Sequence, residues 1–227
     1  MIMWSRVWDF VLSLVGRTAA MRLYERVKRY AALSDTSICM LHNAEPKTPC
    51  PQSRYFCGNE SKKQAVNFDA VKEEYCRRNR INGSWPSVDA VLFKDNTFLF
   101  VEIKSWRNFE EHQINANDTQ EEKERKIKAK AQGFKLKQKI ESSMDICCDL
   151  SKDKKLFERI PIVYVLVTDV ATQLSPMELF RARLGVLSYK AVNVPLYAKA
   201  SIAQLNALSI PVRYKFCQEF DDFYDSL

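Results

Sequence analysis

Glycine is scarce in this chain, with five among 227 residues, which excludes a linker-rich, collagen-like or low-complexity polypeptide. Histidine is scarcer still. His42 and His112 are its two copies, and both lie outside the acidic hairpin described below, so histidine-centred chemistry has little to stand on. No apolar run approaches the roughly 20 residues that a bilayer-spanning helix needs. Asp9 falls where a secretory signal would have its apolar centre, which argues against export. Seven cysteines, at 39, 50, 57, 76, 147, 148 and 217, form no regular framework. They read as free thiols in a reducing, cytoplasmic compartment.

What is present describes a globular protein, 46% hydrophobic and 28% charged, large enough to bury a sizeable core. Its net charge of +7 is compatible with a polyanionic partner. Two parts are expected: an N-terminal helix with an irregular Cys- and Pro-rich segment over 1–60, and a main domain over 61–227. Trp4, Val7, Trp8, Val11 and Val15 recur at helical spacing and predict a helix over 4–32, packing on the domain or, as a homodimer, on a second copy. Asp9 and Glu25 oppose an interfacial helix, so no membrane contact is expected. In the irregular segment, Cys39, His42, Cys50 and Cys57 could hold a structural Zn²⁺. The spacing from Cys50 to Cys57 fits no common knuckle, however, and the ordinary reading is small apolar side chains with one surface histidine.

The informative stretch runs from Pro86 to Ser105. Two apolar segments, 88–94 and 97–105, flank Asp95-Asn96, which favours a tight hairpin reversal. If Lys94 faces Thr97, the pairing runs through Phe93–Phe98, Leu92–Leu99 and Val91–Phe100 and brings Asp89 opposite Glu102. Their Cβ atoms would then stand roughly 5 Å apart on one face, with Lys104 emerging on the same face. Opposed carboxylates are unfavourable without a partner. A divalent metal supplies one reason for them, and a plain ion pair with Lys104 supplies another.

Around the hairpin, a helix is predicted over 62–78, with Glu74 on its apolar side beside Val66, Ala70 and Val71, and Glu73 at the margin. Glu74 could complete a metal site or pair with Arg77 or Arg78. Residues 106–118 read as a polar loop. One long basic helix is then expected over 119–149, with Lys139 and Ser143 a turn apart beside the buried stripe of Leu136, Ile140, Met144 and Cys147. The apolar run 161–168 reads as a central strand, added parallel to the second hairpin strand. Ser175, Pro176 and Glu178 signal a helix start. A short helix near 200–208, an edge strand over 210–216 and a docked acidic, aromatic tail complete the expectation.

This order of parts resembles the PD-(D/E)xK nuclease superfamily over roughly residues 62–168, with Asp89 and the Glu102-Ile103-Lys104 run as the matching motif. The resemblance implies an α/β fold: a restriction-endonuclease-like αβββαβ core with a mixed central sheet flanked by helices, plus N- and C-terminal additions. It implies that Asp89, Glu102 and the Ile103 backbone carbonyl hold Mg²⁺ or Mn²⁺, and that Lys104 orients the attacking water and helps deprotonate it. Glu74 (or Glu73) would match the supporting first-helix acid, and Lys139 the second-helix polar residue. The superfamily's first core strand is not legible between Arg80 and Pro86. Cys147, Cys148 and Cys217 lack the spacing of the iron–sulfur cluster that some relatives carry. The implied activity is a metal-dependent endonuclease acting on nucleic acid, DNA in preference to RNA. The rival is a non-catalytic module of the same fold that binds nucleic acid or protein.

Overall fold

A computed structural model describes residues 19–30, 36–37, 61, 63–83, 85–115, 117–170 and 190–227. Its centre is a mixed sheet in sequence order: β1 (Thr36–Ser37), β2 (Gln64–Asn67), β3 (Ala90–Lys94), β4 (Thr97–Lys104), β5 (Ile162–Thr168) and β6 (Val212–Phe216). β2 to β6 form the body of the sheet, and β1 adds two residues at one edge. β2, β3 and β4 are antiparallel, while β4, β5 and β6 are parallel. The helices are α1 (19–30), α2 (Phe68–Asn79), α3 (Trp106–Gln113), α4 (Gln120–Gly133), α5 (Leu136–Ser151), α6 (Lys190–Leu205) and α7 (Phe220–Asp225). None of the described helices is long and apolar enough to cross a membrane.

The hairpin forms as its sequence predicts. Asp95 and Asn96 both take positive φ (44° and 71°), the primed turn whose twist suits the flanking strands. The register runs Lys94↔Thr97 to Ala90↔Val101. Side-chain alternation then splits the sheet into two apolar faces. Val66, Val91, Phe98, Phe100, Tyr164 and Leu166 meet α1, α2 and α5, where Leu23, Val27, Val71, Ile140 and Ile146 are also buried. Ala65, Leu92, Leu99, Val101, Val165 and Val167 form the other face, and Phe220 of α7 is buried against it. Glu102 and Lys104 share the parity of Phe98 and Phe100, so they emerge at the end of the helix-covered face.

Four elements depart from the sequence reading, one of them the short helix expected near 200–208, which is the longer α6 over Lys190–Leu205. Residues 64–67 are a strand rather than the start of a helix, so the first core strand precedes the acid-bearing helix instead of following it. Asn67 turns the chain by accepting from the Ala70 N–H at 3.2 Å, an N-cap that starts α2 at Phe68. Much of the expected polar loop over 106–118 is helix α3. The Asp169 carboxylate accepts the Trp106 N–H at 2.7 Å, and the Trp106 ring stacks on Tyr197 at 4.9 Å. The single long helix is two. Lys135 takes φ 53°, a left-handed residue after Gly133 and Phe134 that redirects the chain between α4 and α5. Phe134 and Leu136 are both buried across that break.

The parallel addition of β5 beside β4 and the terminal strand β6 agree with expectation. The C-terminal tail docks as α7, where Lys94 Nζ donates to the carbonyls of Tyr224 (2.7 Å) and Asp225 (2.5 Å). The described part of the N-terminal helix packs on this domain, with Ala20, Leu23 and Val27 in its core. Residues 4–18, the Cys39/His42/Cys50/Cys57 set and the helix start at Ser175 lie outside the described residues.

Candidate active site

Asp89 leaves the β3–β4 ladder one residue early. Its N–H donates to the Val101 carbonyl (3.1 Å), and its own carbonyl accepts the N–H of Phe68, the first residue of α2 (3.1 Å). Freed from regular pairing, its carboxylate turns back along β4 and takes the Ile103 N–H on Oδ2 at 2.6 Å. Glu102 projects from β4 into the helix-covered face and has no exposed surface. The two acids therefore meet by side-chain reach at the hairpin's open end, rather than as the directly opposed ladder pair the sequence suggested.

Two lysines close the group. Lys104, from the end of β4, pairs with Glu102 Oε1, approaches Asp89 Oδ2 at 3.5 Å and donates to the Ile103 carbonyl at 2.9 Å. Lys139 comes from the first full turn of α5 and reaches Glu102 Oε1 at 2.6 Å and Asp89 Oδ1 at 3.5 Å. Ser143 fixes where that turn sits. Its hydroxyl donates to the Lys139 carbonyl (2.8 Å) and accepts the Val88 N–H (3.0 Å), locking α5 to the chain just before Asp89. Val88 and Ser143 are buried, so loss of this bond would strand a buried N–H.

Burial, then the neighbouring Asp89 charge, raises the Glu102 carboxyl to about 7, although Lys104 and Lys139 pull the other way. Burial lowers the Lys139 ammonium, but Glu102 and Asp89 outweigh it and leave it above its ordinary value. Two oxygens on this face remain without a hydrogen-bond partner among the described residues: Glu102 Oε2 and the Tyr164 hydroxyl. Tyr164 lies on β5 opposite Phe100, one pleat from Glu102, and is fully buried. Burial pushes its hydroxyl well up, and the negative charges of Glu102 and Asp89 add to that.

Do these residues fit a divalent cation? Among the described residues, no group of three or more His, Cys, Asp and Glu side chains is placed to hold one, so a cage built wholly of such side chains is absent. A smaller set of oxygens is present instead. Asp89 Oδ2, Glu102 Oε1 and the Ile103 carbonyl all converge on one ammonium, that of Lys104, and Glu102 Oε2 is buried with an unused lone pair. Hard oxygens, few in number, suit Mg²⁺ or Mn²⁺. The set fits.

No family model, curated protein or solved structure matches this chain. The side chains alone carry the chemistry. Of the residues singled out from sequence, Asp89, Glu102, Ile103, Lys104 and Lys139 come together. Glu74 does not join them. Its carboxylate is clamped by Arg77 (two bonds of 2.7 Å) and Arg78 (2.5 Å), whose hydrogen bonds hold it down at about 2. Glu73 is exposed. The first-helix acid near the site is Asp69, which accepts from Ser87 (2.5 Å) and Lys72 (3.2 Å) and adds to the negative field around Lys139. Placing the helix start at residue 62 instead of 68 turned the wrong acid inward. The Asn67 N-cap was the signal that could have corrected it.

Proposed function

We propose that this protein is a metal-dependent phosphodiesterase, an endonuclease on nucleic acid with DNA as the favoured substrate, built on a restriction-endonuclease-like core. One observation carries the reading: two carboxylates and a backbone carbonyl converge on a lysine ammonium at the end of a buried hairpin, where each would otherwise be costly. Asp89, Glu102 and the Ile103 carbonyl would hold Mg²⁺ or Mn²⁺. Such an ion neutralises charge at a phosphodiester and makes water a better nucleophile near neutral pH. Asp89 is pre-set for its role by the Ile103 N–H, which fixes one carboxylate oxygen. Lys104, beside both acids and the Ile103 carbonyl, would orient the attacking water and relay its proton. Lys139 sets positive charge beside both acids, where the phosphate must come. Exposed cations on α4 and the α4–α5 junction, including Arg125, Lys128, Lys135 and Lys137, would grip the backbone without reading sequence.

A second reading has its own support. The acids already have ammonium partners, so the cluster could be a buried ion-pair network in a non-catalytic module that binds nucleic acid or protein. Plasmid DNA incubated with Mg²⁺ or Mn²⁺ and the wild-type chain, Glu102→Gln or Lys104→Ala separates the two. The nuclease reading expects metal-dependent nicking that falls at least ~100-fold in both variants. Equal cleavage in all three proteins, or none with any metal on DNA or RNA, would leave the binding module standing.

A further inference from the structure

Two ammonium groups sit on the acids, and their positions are not equivalent. Lys104 lies among three oxygens: Asp89 Oδ2, Glu102 Oε1 and the Ile103 carbonyl. Lys139 lies against two, Glu102 Oε1 and Asp89 Oδ1, and bridges the pair from the opposite carboxylate oxygen of Asp89. A hard cation prefers the place with more oxygens, which is that of Lys104. Lys104 extends from the end of a strand, whereas Lys139 is held by a helix that Ser143 bolts to the chain before Asp89. The position among three oxygens is therefore the one that a metal takes, and the position between the two acids stays with Lys139.

We propose that Lys139 stands where a second divalent cation would sit, so that the site works with a single metal ion. This rests on the metal-dependent reading above. The charge balance supports it. Asp89 and Glu102 cancel the two lysines, so one divalent ion facing one phosphodiester leaves a single excess positive charge. A second ion beside the same ammonium groups would raise that excess to three, within a site whose walls screen charge poorly. Two-metal sites hold their ions roughly 3.5–4 Å apart and share a carboxylate between them. Here Glu102 Oε1 is the shared oxygen, but one of its two cations is built into α5. In the reaction Lys139 supplies fixed positive charge on the phosphate, a task that elsewhere falls to the second metal.

The test is the number of Mn²⁺ ions bound by the full chain at neutral pH, with Mn²⁺ alone titrated and the free ion read by electron paramagnetic resonance. The wild type is expected to bind one ion, lost in Glu102→Gln. Lys139→Met keeps the stem and removes the charge, and is expected to bind two; Lys139→Arg keeps the charge and is expected to bind one. Should Lys139→Met fail to give a folded circular-dichroism spectrum, Lys139→Gln carries the same comparison. Two ions in the wild type, or one in the folded neutral variants, overturns the single-ion inference and leaves the nuclease reading intact. No Mn²⁺ bound by the wild type overturns both.

Discussion

Tyr164 and Glu102 share a feature that neither shows in sequence: each buries an oxygen with no partner among the described residues. A buried, unbonded hydroxyl costs about 1–3 kcal/mol. Tyr164→Phe should therefore stabilise the metal-free protein, raising Tm by roughly 2–4 °C for each kcal/mol recovered in a chain of this size. Differential scanning calorimetry decides this, and a lower Tm would mean that the hydroxyl is bonded through water to Glu102. Asp89, Glu102 and Lys104 were legible beforehand because one hairpin carries all three and its turn fixes the register. Tyr164, Asp69 and the Ser143–Val88 link were not, because they join segments remote in sequence. Lys139 was legible at the margin of an apolar stripe and, through the resemblance, as the second-helix polar residue, but not as a partner of both acids. Local pattern shows which way a side chain points, but not what another strand brings to meet it.

Among the elements, α7 is small but packs Phe220, Phe223 and Tyr224 against one sheet face. Phe220 is fully buried against Leu92, Leu99, Val101 and Val165, so Phe220→Ala should cost about 3–5 kcal/mol in urea denaturation. Mn²⁺ affinity measured below the unfolding transition should not change, since Glu102 faces the other side. A large loss of metal binding would contradict the two-faced arrangement. Lys63 also ties α7 through Asp225 at 2.6 Å. This pair lowers the Asp225 carboxyl and raises the Lys63 ammonium. Its support is thus present above the ordinary carboxylate value of 3.8 and is lost as acid passes the lowered one. Protease cleavage near the C-terminus should increase on acidification, and Lys63→Ala should flatten that response. Asp225 is exposed and Lys63 only half-buried, so solvent screens the pair and the effect will be small. Docking of this tail was legible from its aromatic residues. The break between α4 and α5 was not, because a left-handed lysine leaves no mark in the sequence, and the polar face of α3 hid a helix anchored by one buried tryptophan.

At the scale of the whole molecule, a net charge of +7 becomes useful only where it is exposed and leads somewhere. On α4, Lys126 is tied to Asp118 at 2.7 Å and Lys130 lies over the Phe109 ring, so neither is fully available. Arg125, Lys128, Lys135 and Lys137 are exposed, Lys137 with a loose, solvent-screened pairing to Glu141 at 3.8 Å, and Lys135 precedes Lys139 by one helical turn. On the proposed nuclease reading, a nucleic-acid backbone held by these cations would end at the two acids. Glutamine at all four exposed positions should weaken binding of a short duplex and reduce its salt dependence. Each lost phosphate contact removes about 0.9 from the slope of log K against log salt, so the full set removes up to roughly 3–4. Fluorescence anisotropy in the Glu102→Gln background measures this without cleavage. Mn²⁺ binding with Glu102 intact should be unaffected, which separates grip from chemistry. If the slope is unchanged, the backbone does not run along α4, and the arginines of α1 and α2 become the surface to alter next. If the slope falls while nicking by the otherwise wild-type enzyme recovers at low salt, the cations deliver substrate and the Asp89–Glu102 centre cuts it.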